Sequence, residues 1–119
     1  MARILLSVTH SKDIPDRPSA AFTLAAAAIA AEHETVVSLS IDGVYLAQKG
    51  YSDDIHAPPF DRLKDLIDLF VEGGGKLWVC KKCINQRSIA PDSLIAGAEV
   101  VGATRVIEFM AQGASTLSF

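Results

Sequence analysis

Cysteine is scarce in this chain of 119 residues, which contains only Cys80 and Cys83. The disulfide framework that holds many small secreted domains together needs more cysteines than this. No apolar run reaches the roughly 18 residues of a membrane-spanning helix, and the run at residues 4–8 is too short for the core of a signal peptide. We therefore expect a cytoplasmic protein that has no membrane partner.

Long basic runs and aromatic ladders are also absent. Lysine and arginine total 11 residues against 14 acidic residues, the net charge is −3, and aromatic residues make up only 7% of the chain. This balance argues against nucleic acid as a partner. The first polar loop, residues 10–17, contains no glycine and does not match a phosphate-binding loop. We therefore expect no cofactor, nucleotides and flavins included.

Hydrophobic residues, in contrast, make up 50% of the sequence. The length predicts a single domain over residues 1–119, and a domain of this size cannot bury so much apolar surface by itself. Residues 19–31 contain eight alanines and no charge, which predicts a helix that is buried on all sides. One side of this helix can face a sheet, and the other is expected to meet a second subunit.

Apolar runs and helical patterns alternate along the chain, which is typical of an α/β fold with a mostly parallel sheet and helices on both faces. The patterns predict strands at residues 3–9, 35–41, 76–79, 99–101 and 115–119. They predict helices at residues 19–31, 60–72, 83–87, 91–96 and 103–111, with a helical turn at 44–48 and a loop at 49–59.

The carboxyl ends of parallel strands meet at one edge of a sheet, where ligands commonly bind. That edge is predicted to collect side chains from the loops that follow four different strands. The candidate binding residues at this edge that precede the cysteines are His10, Lys12, Asp42 and Tyr45.

The cysteines stand directly after the third predicted strand, as Cys80-Lys81-Lys82-Cys83. A thiol at the end of a strand can face helix-terminal N–H groups and the two lysines, and both favour the nucleophilic thiolate. Sulfur or redox chemistry is therefore the favoured interpretation, with Cys80 and Cys83 as the candidate catalytic residues.

Three other interpretations of the cysteine pair remain open. The cysteines can be small buried hydrophobic residues. They can supply half of a tetrahedral zinc site, although no second pair exists and His10, His33 and His56 are scattered, so we predict no metal site. They can form a reversible disulfide like that of a thioredoxin-type dithiol, a possibility that the nearby Trp78 makes attractive.

Several segments occur together in a distinctive order and spacing: the opening strand with the Pro18 helix, Asp42-Gly43-Val44 with Leu46, Lys49-Gly50, residues 77–87 around Cys80, residues 94–99 and residues 116–119. Together they resemble the DsrE/DsrF-like family, small α/β proteins that include sulfur-relay subunits and YchN-like proteins. The resemblance covers nearly the whole chain.

The resemblance implies a three-layer α/β/α fold with a five-stranded parallel sheet, and assembly into trimers or hexamers. It also implies a cysteine that carries a persulfide in the sulfur-relay members. Cys80 matches that cysteine, Arg87 follows it as in the family, and Cys83 matches a second cysteine present in some members. Ser88 stands where a glycine is common, and Lys81-Lys82 occupy positions that are often small.

Two hypotheses follow. In the first, Cys80 holds a transferred sulfur within a homotrimer or homohexamer, and Cys83 either resolves the product as a disulfide or packs. Lys81, Lys82 and the helix N-terminus stabilise the sulfur anion, Arg87 joins the binding residues, and the partners are sulfur donor and acceptor proteins or small persulfides. In the second, the protein is a non-catalytic oligomeric module that binds a small molecule or a protein.

Overall fold

A parallel five-stranded sheet forms the centre of the protein, whose computed structural model describes residues 1–119. The strands are β1 (Arg3–Val8), β2 (Glu34–Leu39), β3 (Lys76–Cys80), β4 (Ala98–Val101) and β5 (Ser115–Ser118). Their order is β4-β3-β2-β1-β5, and every neighbouring pair is parallel. The predicted α/β class with a parallel five-stranded sheet is confirmed.

Helices cover both faces of the sheet. They are α1 (Asp16–Ala30), α2 (Leu63–Glu72), α3 (Lys81–Gln86) and α4 (Ala103–Ala111), and two 3₁₀ segments span Ile41–Ala47 and Pro91–Ser93. On one face α1 and α2 pack together, with the rings of Phe22 and Phe70 edge to face at 5.9 Å. On the other face α4 places Phe109 edge to face against Trp78 at 5.7 Å. None of the helices is both long and apolar enough to cross a lipid bilayer.

The alternation of side chains along each strand determines which residues meet which helices. In β1, Leu6 belongs to the larger core under α1 and α2, whereas Leu5 belongs to the smaller core under α4. Because both faces carry core residues, the strands appear in sequence as nearly continuous apolar runs. The serines of β1 and β2, Ser7 and Ser38, are register partners and interrupt these runs.

The structure corrects several boundaries. The strand predicted at 35–41 ends at Leu39, because Ile41 takes a left-handed backbone with φ of 53° and begins the 3₁₀ segment. That segment replaces the turn predicted at 44–48. The helix predicted at 91–96 is only the 3₁₀ segment Pro91–Ser93. The helices predicted to start at residues 19, 60 and 83 begin at Asp16, Leu63 and Lys81.

The first helix is buried on one side only within one chain, and burial of its other side by a second subunit stays a prediction. The inward residues of α1 are buried, among them Phe22, Ala25 and Ala28. On its outer side Leu24 is 45% exposed and Ala27 is also exposed. The uncharged sequence therefore gives the helix an outer face of small and apolar residues.

A close backbone contact fixes the 3₁₀ segment against the sheet. A Cβ atom on Gly43 would overlap the carbonyl oxygen of Val8, the last residue of β1. Only glycine permits this approach. The contact brings Asp42 and Tyr45 to the carboxyl edge of the sheet, beside the end of β3.

Candidate functional site

Cys80 is the last residue of β3 and directly precedes α3, at the carboxyl edge of the sheet. It is half-buried, and it borders a cleft of about 400 Å³ on the α4 face. The lining comprises three serines, the two lysines and an apolar wall: Ser7, Ser38, Ser40, Cys80, Lys81, Lys82, Val101, Gly102, Ala103, Val106 and Ile107. The side chains of Lys81 and Lys82 are exposed and form no ion pair within the protein.

Cys83 lies one helical turn further on and is only 8% exposed, within the core under α1 and α2. Its Sγ accepts a hydrogen bond from the backbone N–H of Ile41 over 3.2 Å. Burial raises the pKa of the Cys83 thiol, and the neighbouring Cys80 thiol raises it further. The Ile41 N–H and the charge of Arg87 only partly oppose this rise. The two thiols are free, close to each other and differently exposed.

Arg87 links α3 to the 3₁₀ segment. Its Nε and Nη2 donate to the same carboxylate oxygen of Asp42, over 3.2 and 2.9 Å, and its Nη1 donates to the carbonyl oxygen of Cys83 over 3.3 Å. The guanidinium also lies 5.9 Å from the centre of the Tyr45 ring. Asp42 and Arg87, both predicted as binding residues, are therefore occupied with each other and hold the backbone around Cys83.

A stack of two tyrosines continues from Arg87 to the first loop. The rings of Tyr45 and Tyr51 stack at 5.6 Å, and the ammonium of Lys12 lies 4.4 Å from the centre of the Tyr51 ring. The Tyr51 hydroxyl donates to the Oγ of Ser11 over 3.1 Å. The structure thus connects Lys12 with Tyr45 through Tyr51. Tyr51 was not predicted as a binding residue, because the predicted loop at 49–59 does not directly follow a strand.

His10 is engaged within its own loop. Its Nδ1 lies 2.8 Å from the carboxylate of Asp13. This hydrogen bond is the main reason that the pKa of Asp13 falls to about 2, and the backbone N–H of Ser11 adds to the effect. The hydrogen bonds and ion pairs of His10 do not reach either cysteine.

The predicted edge residues therefore form two groups. Cys80, Lys81 and Lys82 line the cleft on the α4 face, whereas Asp42 and Arg87 surround Cys83 on the other side. The hydroxyls of Ser7 and Ser38 line the same cleft as Cys80 and are not among the residues predicted from the sequence. Their signal in the sequence is a serine that interrupts the apolar run of each of two predicted strands. No three histidine, cysteine or acidic residues lie together in a cluster able to hold a metal ion.

Solved structures share this fold. The YchN protein of E. coli superposes with a TM-score of 0.83 at 17% identity, covering 100% of both chains. MTH1491 of Methanobacterium thermoautotrophicum, a protein of unknown function, gives 0.80 at 13% identity, again over 100% of both chains. BT1422 of Bacteroides thetaiotaomicron, also of unknown function, gives 0.70 at 14% identity over 98% of this chain and 94% of that one.

The sequence also matches the uncharacterized protein MJ0760 of Methanocaldococcus jannaschii, with 29% identity over 97 residues. The match covers 82% of this chain but only 35% of that relative, so the chain spans about a third of its length. A profile of the DsrE/DsrF-like family matches residues 2–119. With nearly every residue inside that match, the chain belongs to the DsrE/DsrF-like family.

Proposed function

We propose that the protein is a sulfur carrier in which Cys80 holds a sulfur atom as a persulfide. The observation that carries this proposal is the difference between the two thiols. Cys80 is half-buried and borders an open cleft beside two unpaired lysines, whereas Cys83 is buried and its pKa is raised. The nucleophile in sulfur transfer is a thiolate, and an accessible thiol near positive charge is the better candidate.

The proposed loading step is an exchange at sulfur. The Cys80 thiolate attacks the outer sulfur of a donor persulfide, R–S–S⁻. A bond forms between Cys80 Sγ and that sulfur, the donor S–S bond breaks, and the electron pair leaves with the donor as R–S⁻. Lys81 and Lys82 offer ammonium groups near both the entering and the leaving anion. An acceptor nucleophile then takes the outer sulfur and releases the Cys80 thiolate.

Cys83 gives the carrier a second outcome. When the Cys83 thiol attacks the Sγ of loaded Cys80, the terminal sulfur leaves as hydrogen sulfide and a Cys80–Cys83 disulfide forms. Because burial and the neighbouring Cys80 thiol raise the pKa of Cys83, little thiolate is present at neutral pH. We therefore propose slow resolution, which leaves time for an acceptor protein or small thiol to collect the sulfur.

Assembly into a homotrimer or homohexamer is the second part of the proposal. The outer side of α1 presents the exposed Leu24 and Ala27, and residues 18–31 carry no charge. The edge strand β5 is exposed along its length. Burying apolar surface is worth roughly 25 cal/mol per Å², so a patch of a few hundred Å² favours association by several kcal/mol.

Mass spectrometry tests the sulfur-carrier proposal. After incubation with a persulfide donor, the native protein should gain the mass of one sulfur atom, localised to Cys80 by peptide mapping under non-reducing conditions. Cys80→Ser should gain none, and Cys83→Ser should retain the adduct for longer than the native protein. Absence of any adduct on Cys80 would favour a binding module that keeps the fold without transferring sulfur.

A further inference from the structure

The floor of the cleft beside Cys80 is polar, and the sulfur-carrier proposal does not use this feature. Ser7 of β1 and Ser38 of β2 are register partners, and Ser118 of β5 pairs with Ser7 on the other side. Three hydroxyl side chains therefore stand in a row across adjacent strands. Within a parallel sheet that is buried on both faces, such positions are usually apolar.

These hydroxyls are free to bind a ligand. Ser7, Ser38 and Ser40 line the cleft, and none of their side chains makes a hydrogen bond within the protein. The helix α4 packs against a core that extends from β1 to β4 and contains Leu5, Val36, Trp78 and Val101. Ser7 and Ser38 lie two residues beyond Leu5 and Val36, outside this core. The sheet in front of Ser7 and Ser38 is left open as the floor of the cleft.

The walls specify the kind of ligand. Val106 and Ile107 of α4 offer an apolar side, and Ile107 is 61% exposed. Lys81 and Lys82 offer two positive charges that have no acidic partner in the protein. The volume, about 400 Å³, lies in the range of sites for small molecules, roughly 300–1,000 Å³.

We infer that this cleft binds a low-molecular-weight thiol or persulfide that carries carboxylate groups, with its sulfur towards Cys80. The lysines pair with the carboxylates, the serine hydroxyls hydrogen-bond to polar groups of the ligand, and the carbon chain packs on the α4 wall. The inference rests on the proposed function and makes it specific. The sulfur donor is then a small anionic molecule that binds before transfer.

Binding measured without sulfur transfer tests the inference. Cys80→Ala removes the reacting sulfur, and S-methylglutathione, an unreactive thioether with two carboxylates, serves as the probe in titration calorimetry. We expect saturable binding. Replacing both lysines (Lys81→Gln with Lys82→Gln) should weaken it about tenfold, because charge-assisted hydrogen bonds are lost. Lys76→Gln, at the other end of β3, is the matched control and should leave binding unchanged.

Two further measurements separate the contribution of the serine hydroxyls from that of the ligand's carboxylate charges. Ser38→Ala should weaken binding several-fold without changing the fold of β2. The diethyl ester of the probe, which lacks the carboxylate charges, should bind weakly and should not respond to the lysine replacements. Absence of saturable binding to folded protein, or equal affinity after the lysine replacements, would overturn the inference. Sulfur loading of Cys80 from a protein-bound donor would remain measurable in either case, so the two proposals fail separately.

Discussion

The backbone N–H of Ile41 donates to the Sγ of Cys83 over 3.2 Å, while Ile41 itself holds a left-handed φ of 53°. A β-branched residue rarely adopts this conformation, because its Cβ crowds the backbone. The side chain of Ile41 is 51% exposed, so burial contributes little to keep it there. The strained residue and the buried thiol are thus directly joined at the candidate site.

Replacing Ile41 measures this strain. Ile41→Gly should have a free energy of unfolding about 1 kcal/mol higher than Ile41→Ala, because glycine adopts a left-handed backbone without a steric penalty. The same pair at Ile107, an exposed position inside α4, should show the opposite order by a similar amount. Urea denaturation at fixed protein concentration gives both differences. An alanine variant as stable as the glycine variant at position 41 would argue against a left-handed Ile41.

The two thiols should separate in alkylation. Iodoacetamide at neutral pH should modify Cys80 first, because Cys83 is buried and its pKa is raised. Modification of Cys83 should need a more alkaline pH. Peptide mapping over a pH series gives the two rates, and Cys83→Ser should leave the Cys80 rate nearly unchanged. Faster labelling of Cys83 in the native protein would reverse the assignment of the nucleophile.

The raised pKa of Cys83 also predicts a pH dependence of stability. Above the ordinary pKa of a thiol, the unfolded chain loses the proton while the folded protein keeps it, so the free energy of unfolding falls as pH rises. The contribution of Cys83 to stability is fully present below the thiol pKa of the unfolded chain. It is lost as pH rises through the thiol pKa of the folded protein. In Cys83→Ala this part of the alkaline decline should disappear, which denaturation curves between neutral and alkaline pH can measure.

Gly43 should tolerate no side chain. Gly43→Ala places a methyl group against the carbonyl oxygen of Val8, so β1 and the 3₁₀ segment must separate. We expect a loss of more than about 3 kcal/mol in the free energy of unfolding. Gly102→Ala is the control, since nothing lies within 4 Å of its Cβ, and it should change stability by no more than about 1 kcal/mol. Similar thermal melting of both variants would contradict the close contact.

His10 should act on Asp13 and not on Cys80. In His10→Ala the pKa of Asp13 should rise from about 2 towards its ordinary value of 3.8, because the main hydrogen bond that lowers it is lost. Because the pKa of Asp13 is depressed in the folded protein, its carboxylate contributes stability at pH values above 3.8. This contribution is lost as pH falls towards 2. Carbon NMR of the Asp13 carboxyl measures the shift. Sulfur loading of Cys80 should be unchanged in this variant.

The outer side of α1 offers a test of assembly. Ala27 is exposed on the outer side of α1, whereas the adjacent Ala28 is buried on its inner side. Ala27→Glu should therefore give a folded monomer of 12.7 kDa by light scattering, because it places a charge only in the proposed interface. Ala28→Glu should unfold the chain, and Ala96→Glu, on an exposed loop, should leave the oligomer intact. A native protein that is itself monomeric at micromolar concentration would refute the interface.

The apolar runs and their alternation with helical patterns were enough to predict all five strands and the parallel sheet. They also placed Cys80 at the carboxyl edge. They could not predict which face of the sheet each edge residue would occupy, because that depends on strand register. The Asp42–Arg87 pair joins residues separated by 45 positions, and nothing local in the sequence indicates that they meet. The left-handed Ile41 likewise has no sequence signal, since its type disfavours that backbone.

Trp78 lies in β3 two residues before Cys80, and its register partner is Ser38 on the floor of the cleft. It is the only tryptophan of the chain, it is 4% exposed, and its Nε1 is buried without a hydrogen-bond partner. Tryptophan emission from this protein therefore originates from a single indole two residues from Cys80, the proposed nucleophile. The fluorescence of Trp78 can therefore be used to follow the proposed sulfur loading and ligand entry in real time on unlabelled protein.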